Sequence, residues 1–201
     1  MKEYLKLYEQ ITGNLESSGE RPSLLLHSCC APCSTSVLAR LCELFTVTVF
    51  YSNSNVYPRE EFEKRLFEQK RFCKIKNIPV IEDEYLHGDF TALAASLEKE
   101  SEGGERCKRC IAYRMEKTAE FAKAHGFEYF TTTLSVSPHK NALFINETGA
   151  LLEEKYGVRF LYADFKKKDG YLNSIKLSKE FEIYRQSYCG CEFSLKKEAE
   201  L

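Results

Sequence analysis

Apolar positions in this chain alternate between helical spacing and short unbroken runs from one end to the other. Leu5, Tyr8, Ile11 and Leu15 recur at helical spacing and predict a helix over residues 3–15, broken by Ser17-Ser18-Gly19-Glu20-Arg21-Pro22. Leu24-Leu25-Leu26 then gives a buried strand over 23–27, followed by a helix over 33–44. Phe45-Thr46-Val47-Thr48-Val49-Phe50-Tyr51 is β-branched and aromatic and predicts the second strand. A polar loop at 52–58 leads to a helix over 59–77, whose stripe includes Phe62, Leu66, Phe72 and Ile75. A third strand is predicted at 79–83. Asp89 is placed to cap a short helix through Leu97.

The second half repeats the alternation. A charged loop at 98–104 delivers Cys107, and an amphipathic helix over 110–125 stops at Gly126. A strand over 127–134, a loop at 135–140, a helix over 142–156 and a strand over 158–163 follow. A basic loop at 165–171 then leads to a helix over 177–186. Strand–helix alternation of this kind predicts βαβ units in a mostly parallel sheet of about five strands flanked by helices. Neither a repeat nor a linker divides the chain. We read one α/β domain over 1–201, with 1–21 as a helical extension and 22–201 as its main body.

Composition narrows the setting. Of 201 residues, 43% are hydrophobic and 29% charged, ordinary values for a soluble globular domain. The net charge of −1 gives no global pull toward nucleic acid, so a basic patch must be argued locally. No stretch approaches the roughly eighteen apolar residues of a membrane span. The N-terminus lacks the apolar core of a signal peptide, and we expect a cytoplasmic protein without a membrane partner.

Nine cysteines change the picture, because structural disulfides are rare in that compartment. Cys29, Cys30 and Cys33 form one group, Cys107 and Cys110 a CxxC, and Cys189 and Cys191 a CxC. Cys42 and Cys73 fall on helical faces and read as small buried hydrophobes. Seven clustered thiols exceed the four of one structural zinc, and suit an iron–sulfur cluster plus a second metal site. Two loop-stapling zinc sites, or a redox-active disulfide pair, are the simpler alternatives. Side chains of neighbouring residues are expected to diverge, so Cys29 and Cys30 are read as serving two centres, or one centre and the substrate.

The turn after the first strand is where a nucleotide-binding α/β protein carries a glycine-rich phosphate loop. Here it is His27-Ser28-Cys29-Cys30-Ala31-Pro32-Cys33, without glycine, and Pro32 has no N–H to offer. ATP is not expected there; a metal is. His27 and Asp164 end strands one and five; both are candidate proton donors, Asp164 alternatively a metal ligand or a partner to one, though each has an ordinary structural reading. Lys166, Lys167, Lys168 and Arg185, with Tyr171, Tyr184 and Tyr188, are read as a basic, aromatic rim for RNA. Asn53, Asn55 and Tyr57 are candidate substrate contacts in the loop after strand two.

Six blocks in order carry a resemblance: HSCCAPC at 27–33, YSNSNVYPREEFEKR at 51–65, RCKRC at 106–110, TTTLSVSPHKN at 131–141, ADFKKKDGY at 163–171 and YRQSYCGCEFS at 184–194. Together they resemble the QueH family of epoxyqueuosine reductases. The resemblance implies an adenine-nucleotide α-hydrolase-like fold with cysteines replacing the ATP loop. It implies reduction of epoxyqueuosine to queuosine at the wobble position of a tRNA with a GUN anticodon. A 4Fe-4S cluster beside a mononuclear iron (or another divalent metal), without cobalamin, would serve the reaction. Electrons would come from an external ferredoxin or flavodoxin. The implied metal ligands are Cys29, Cys30, Cys107, Cys110, Cys189 and Cys191, with Cys33 replaceable. Spacing does not divide them; the later pairs plus one of the adjacent cysteines are the expected cluster ligands. The rival readings are an ATP-dependent iron–sulfur tRNA thiolation enzyme and a zinc-stapled RNA-binding module.

Overall fold

The computed structural model describes residues 1–198; the last three positions of the 22–201 unit lie outside the described residues. Five strands pair in parallel in the order β3-β2-β1-β4-β5: β1 (Ser23–His27), β2 (Thr46–Tyr51), β3 (Val80–Glu82), β4 (Tyr129–Thr132) and β5 (Arg159–Phe160). Among the described residues, eight helices surround them: α1 (Lys2–Ser18), α2 (Ala31–Leu41), α3 (Arg59–Ile75), α4 (His87–Ala94), α5 (Glu105–Ala124), α6 (Ala142–Tyr156), α7 (Gly170–Glu180) and α8 (Glu192–Glu198). No helix among the described residues is long and apolar enough to cross a membrane.

Both faces of the sheet are covered, so its central strands read as apolar runs. On β1, Leu24 and Leu26 point to one core with Val37, Leu41, Val47, Val49 and Phe72. Leu25 points to the other, with Phe50, Met115, Phe130, Ile145 and Phe160. α1 joins the first core through Tyr8, Ile11 and Leu15, and Tyr4 stacks on Tyr162 at 5.2 Å. It ends at Gly19, whose left-handed φ of 71° returns an N–H to the Leu15 carbonyl. On the other face α6 passes so close to β5 that a Cβ on Gly149 would lie 2.3 Å from the Phe160 ring.

Several boundaries differ from the sequence expectation, each for a local reason. β4 stops at Thr132 because the Thr132 Oγ1 accepts the Leu134 N–H and starts a 3-10 turn over Thr133–Val136. β5 is two residues long. Asn146 takes over beyond it, accepting the Ala163 N–H at 2.9 Å and donating to the Ala163 carbonyl at 3.1 Å. α4 starts at His87, so Asp89 lies in its first turn and does not cap it. α7 begins at Gly170, seven residues earlier than expected, and ends at Glu180. Arg71 from α3 binds the carbonyls of Phe181 and Glu182, and Glu182 has a φ of 50°. The helix therefore cannot continue to Gln186. α5 starts at Glu105, whose N–H is accepted by the Glu100 carboxylate at 3.2 Å. Cys107 and Cys110 thus lie in its first two turns, three residues apart and on one face.

Strand order reverses at β1, which has β2 on one side and β4 on the other. The crevice outside the carboxyl ends of such strands is where open parallel sheets bind ligands. The turn carrying Cys29 opens there.

Candidate metal centre and catalytic cavity

Three segments bring the seven clustered thiols to this edge. After β1 the chain passes through Cys29 into Cys30, the extended N-cap of α2, with Pro32 inside the first turn. Cys29 is tied to the end of β4. Its N–H donates to Thr133 Oγ1 at 3.2 Å, and the same hydroxyl lies 3.4 Å from its sulfur. The Cys29 and Cys30 sulfurs do not diverge as expected. The extended backbone at Cys30 turns them together to 3.8 Å, and with Cys33 all three sulfurs fall within 4.8 Å of one another.

The turn carrying Cys189 and Cys191 is held from outside. Arg65 donates to the carbonyls of Cys189 at 3.1 Å and Tyr188 at 3.3 Å, and pairs with Glu61 at 2.7 Å. The Tyr57 N–H donates to the Gly190 carbonyl at 2.8 Å, and the Tyr188 hydroxyl to the Tyr57 carbonyl at 2.6 Å. Gly190 has a φ of 134°, and an added Cβ would approach Arg65 Nη1 to 2.9 Å. The glycine between the two cysteines of the CxC is therefore demanded by conformation and by crowding.

Two adjoining cavities result. The larger, about 350 Å³, is lined by Cys29, Cys33 and Cys189 among others. The smaller, about 110 Å³, is lined by Cys107, Cys110, Cys189 and Cys191. Cys189, Arg114 and Lys140 border both. The three sequence-distant groups do meet at one rim.

The titration pattern of the first group reflects crowding. Hydrogen bonds from Cys30 and Cys33 hold the Cys29 thiol well below its usual value, with help from Lys140 and Arg114. Cys30 is pushed up to about 12, first by its hydrogen bond to Cys29, and Cys33 is raised well above normal for the same reason. Three thiols here share about one negative charge, and a cation among them reverses that balance. Two sulfurs bound to one tetrahedral metal at about 2.3 Å are about 3.8 Å apart. The Cys29–Cys30 separation meets that spacing, so this group fits a single metal ion.

The other four cysteines fit a larger group. None of them joins a set of three ligands within 4.8 Å, yet all four line one cavity. Burial pushes Cys110 up to about 11, opposed by Arg114. Arg106 and Arg114, both about 3% exposed, line this cavity, and the Nε of each lacks a hydrogen-bond partner. Unpaired buried N–H groups are costly unless something accepts from them. A polynuclear centre with several acceptor sulfurs suits that donor set.

The structure separates the remaining candidates. Arg185 and Tyr188 line the larger cavity and Asn55 the smaller one. Asn53 is buried; it donates to the Ser28 carbonyl at 2.8 Å and accepts from Arg114 at 3.0 Å. Tyr57 is exposed and lines neither cavity, contributing through its backbone. His27 is fully buried, between Thr132 Oγ1 at 2.8 Å and the Ser52 carbonyl at 3.2 Å. Burial lowers its pKa to about 3, which keeps the ring neutral. Asp164 lies toward α1, close enough to Lys166 for an ion pair at 3.1 Å but misaligned for a hydrogen bond. Neither His27 nor Asp164 lines either cavity, which corrects their reading as groups facing a substrate. Lys166 also stands off; it donates to the Lys140 carbonyl at 3.3 Å. Lys167 and Lys168 face the α1 side.

Sequence reasoning missed Arg65, Arg114, Lys140 and Gln186. Lys140 Nζ lies 3.7 Å from Cys189 Sγ, and Gln186 Nε2 2.9 Å from Cys30 Sγ. Burial opposes the Lys140 charge, but Cys189, Cys29 and Cys33 together raise its pKa above normal. Arg65, Lys140 and Gln186 sit inside the blocks quoted above, which was the one signal available, and Arg114 lies outside all of them.

A family model described as epoxyqueuosine reductase QueH matches residues 24–197. The chain belongs to the epoxyqueuosine reductase QueH family. It is 38% identical over 199 residues to the epoxyqueuosine reductase QueH of Streptococcus pyogenes serotype M1, covering 96% of this chain and 78% of that one. The QueH of Staphylococcus epidermidis is 39% identical over 203 residues, covering 97% and 85%. That of Thermotoga maritima is 38% identical over 177 residues, covering 86% and 90%. Among solved structures, the U34-tRNA thiolase NcsA from Methanococcus maripaludis with its [4Fe-4S] cluster aligns with a TM-score of 0.54. That alignment covers 96% of this chain and 69% of the thiolase at 10% identity, so it shows a shared fold alone. This QueH-family chain keeps the thiolase fold while carrying cysteines at its first strand-to-helix turn.

Proposed function

We propose that this chain reduces epoxyqueuosine to queuosine at the wobble position of a tRNA with a GUN anticodon, in the cytoplasm. The observation that carries the reading is the meeting of six thiols around two adjoining cavities, with Cys30 buried against Cys29 behind them, in a QueH-family chain. Cys107, Cys110, Cys189 and Cys191 would hold a 4Fe-4S cluster. Cys29, Cys30 and Cys33 would hold a mononuclear iron or another divalent metal. No cobalamin enters the reading.

Removing an epoxide oxygen to leave an alkene consumes two electrons and two protons and releases water. When bound, the two metal groups supply low-potential electrons and Lewis acidity toward the oxygen. The electrons originate in an external ferredoxin or flavodoxin. The chain's residues do the rest. Lys140 Nζ, charged and beside Cys189, holds a proton at the junction of the cavities. His139, exposed on the same loop and lining both cavities, carries the second route for protons. Tyr171 and Tyr188 line the larger cavity and offer faces for an unstacked base, while Arg185 reaches its mouth for a phosphate. His27 and Asn53 are positioning groups, fixing the β1 turn through Thr132, Ser28 and Arg114.

Anaerobically loaded protein is incubated with epoxyqueuosine-containing tRNA and a strong reductant, and the nucleosides are analysed by mass spectrometry. Queuosine is expected. An iron- and sulfide-loaded sample that leaves epoxyqueuosine intact would remove the reductase reading.

A further inference from the structure

The linings of the two cavities are rich in cations, including Arg65, Arg106, Arg114, Lys140 and Arg185. Among the described residues that line them, one carboxylate occurs, Glu102, and it lines both. A carboxylate there repels the phosphates that the cations attract, so it works against generic tRNA binding. It also forms no ion pair or hydrogen bond of its own among the described residues.

Its placement is built. Arg106, buried at the start of α5, donates from Nη1 to three carbonyls of the preceding loop: Leu97 at 2.9 Å, Glu98 at 3.0 Å and Glu100 at 2.8 Å. The Gly104 N–H closes on Ser101 at 3.0 Å, and Glu100 binds the Glu105 N–H. Gly103, with a φ of 87°, turns the chain directly after Glu102 and hydrogen-bonds through its backbone to Cys107. The loop is pinned on both sides of Glu102, which is exposed to solvent and lines both cavities.

Epoxyqueuosine joins its deazaguanine base to the epoxide-bearing ring through a secondary amine, protonated in neutral water. Unmodified guanine has no such charge. We infer that Glu102 is the specificity-determining residue that receives this ammonium at the junction of the cavities, separating modified from unmodified tRNA. The inference rests on the epoxyqueuosine reading above and adds the group that selects the substrate.

The test compares loaded wild type, Glu102→Gln and Glu102→Asp. Affinity is measured for epoxyqueuosine-tRNA and for the same tRNA with guanine at the wobble position, alongside iron and sulfide content. Glu102→Gln is expected to lose about tenfold of the preference for the modified tRNA. Its affinity for the guanine form should hold or rise, since a repulsive charge is gone. Glu102→Asp should keep part of the preference, and metal content should not change. Three outcomes overturn the inference: an undiminished preference, an equal loss for both tRNAs, or a loss of iron that makes Glu102 a metal ligand. Wild-type turnover is assayed in parallel. Turnover with an undiminished preference sinks this inference alone, whereas no turnover sinks the reductase reading and this inference with it.

Discussion

Arg65 donates from Nη1 to the Cys189 carbonyl at 3.1 Å while its Nε pairs with Glu61 at 2.7 Å. A residue of α3 thus fixes the turn that carries two of the seven clustered thiols. Arg65→Met removes the fork and leaves Glu61, only slightly exposed, without its cation. Breaking a buried pair costs about 3–5 kcal/mol, and Tyr184, whose hydroxyl lies 3.2 Å from Glu61, brings the expectation to the low end. Urea unfolding should therefore show a loss of about 3 kcal/mol, with less retained iron. Lysine should not rescue, because one ammonium cannot reproduce the planar fork. Full iron retention in Arg65→Met would show that the turn is held by other contacts.

Gly190 and Gly88 give a contrast within one chain. At Gly190 an alanine meets Arg65 Nη1 at 2.9 Å and Val56 Cγ2 at 3.3 Å, with φ at 134°. Gly190→Ala should cost about 1–3 kcal/mol and lower iron retention. Gly88 lies in the first turn of α4 with nothing within 4 Å of an added Cβ. Gly88→Ala should leave iron unchanged and raise stability by about 0.4–1 kcal/mol. Thermal melts with iron analysis compare the two; equal effects would mean that crowding at the CxC turn has been overstated.

The fold was legible because parallel strands buried on both faces write apolar runs, as Leu24-Leu25-Leu26 does, and the helices between them keep their own period. What escaped was set by contacts distant in sequence. Arg71 from α3 ends α7, Asn146 from α6 shortens β5, and α8 follows a turn held by Arg65. The cysteine groups announced themselves by spacing, but the approach of Cys29 to Cys30 depends on one extended backbone conformation at an N-cap. Arg65, Arg114 and Lys140 read as ordinary helix and loop charges, since nothing local reveals that a cation is buried. His27 and Asp164 show the converse. A strand-end position says which edge a residue is near, and the side-chain direction decides whether it reaches the cavity.

The division of the thiols can be tested by two substitutions. Cys191→Ser acts on the four-cysteine cavity and should remove inorganic sulfide together with most of the iron. Cys30→Ser acts on the group whose sulfurs lie within 4.8 Å of one another. It should keep the sulfide and the visible absorption and lose about one iron, as expected for a single metal held by thiolates. Sulfide loss in Cys30→Ser would move Cys30 into the cluster.

Arg185 is exposed at the mouth of the larger cavity, anchored by the Ser174 carbonyl at 3.2 Å and the Ser178 hydroxyl at 3.1 Å. An anchored, solvent-facing guanidinium suits a phosphate. Arg185→Ala should weaken tRNA binding, raise KM with kcat unchanged, and flatten the plot of log affinity against log salt by about 0.7. An unaltered salt slope would place the phosphate contacts elsewhere.

Cys73 tests the sorting of the cysteines from the opposite side. It is buried on α3, and Gln69 donates to its sulfur at 3.1 Å while accepting from Ser28 and Ser34 at 2.7 and 3.1 Å. The residue therefore belongs to the scaffold behind the β1 turn, and burial pushes its thiol up to about 11, away from a metal-binding thiolate. Cys73→Ala should leave iron, sulfide and turnover at wild-type levels while costing about 1–2 kcal/mol, because a Gln69 N–H loses its acceptor. Cys73→Ser restores an acceptor at the same place and should recover part of that loss. A fall in metal content in Cys73→Ala, without a matching fall in stability, would add an eighth thiol to the centre and undo the assignment made here.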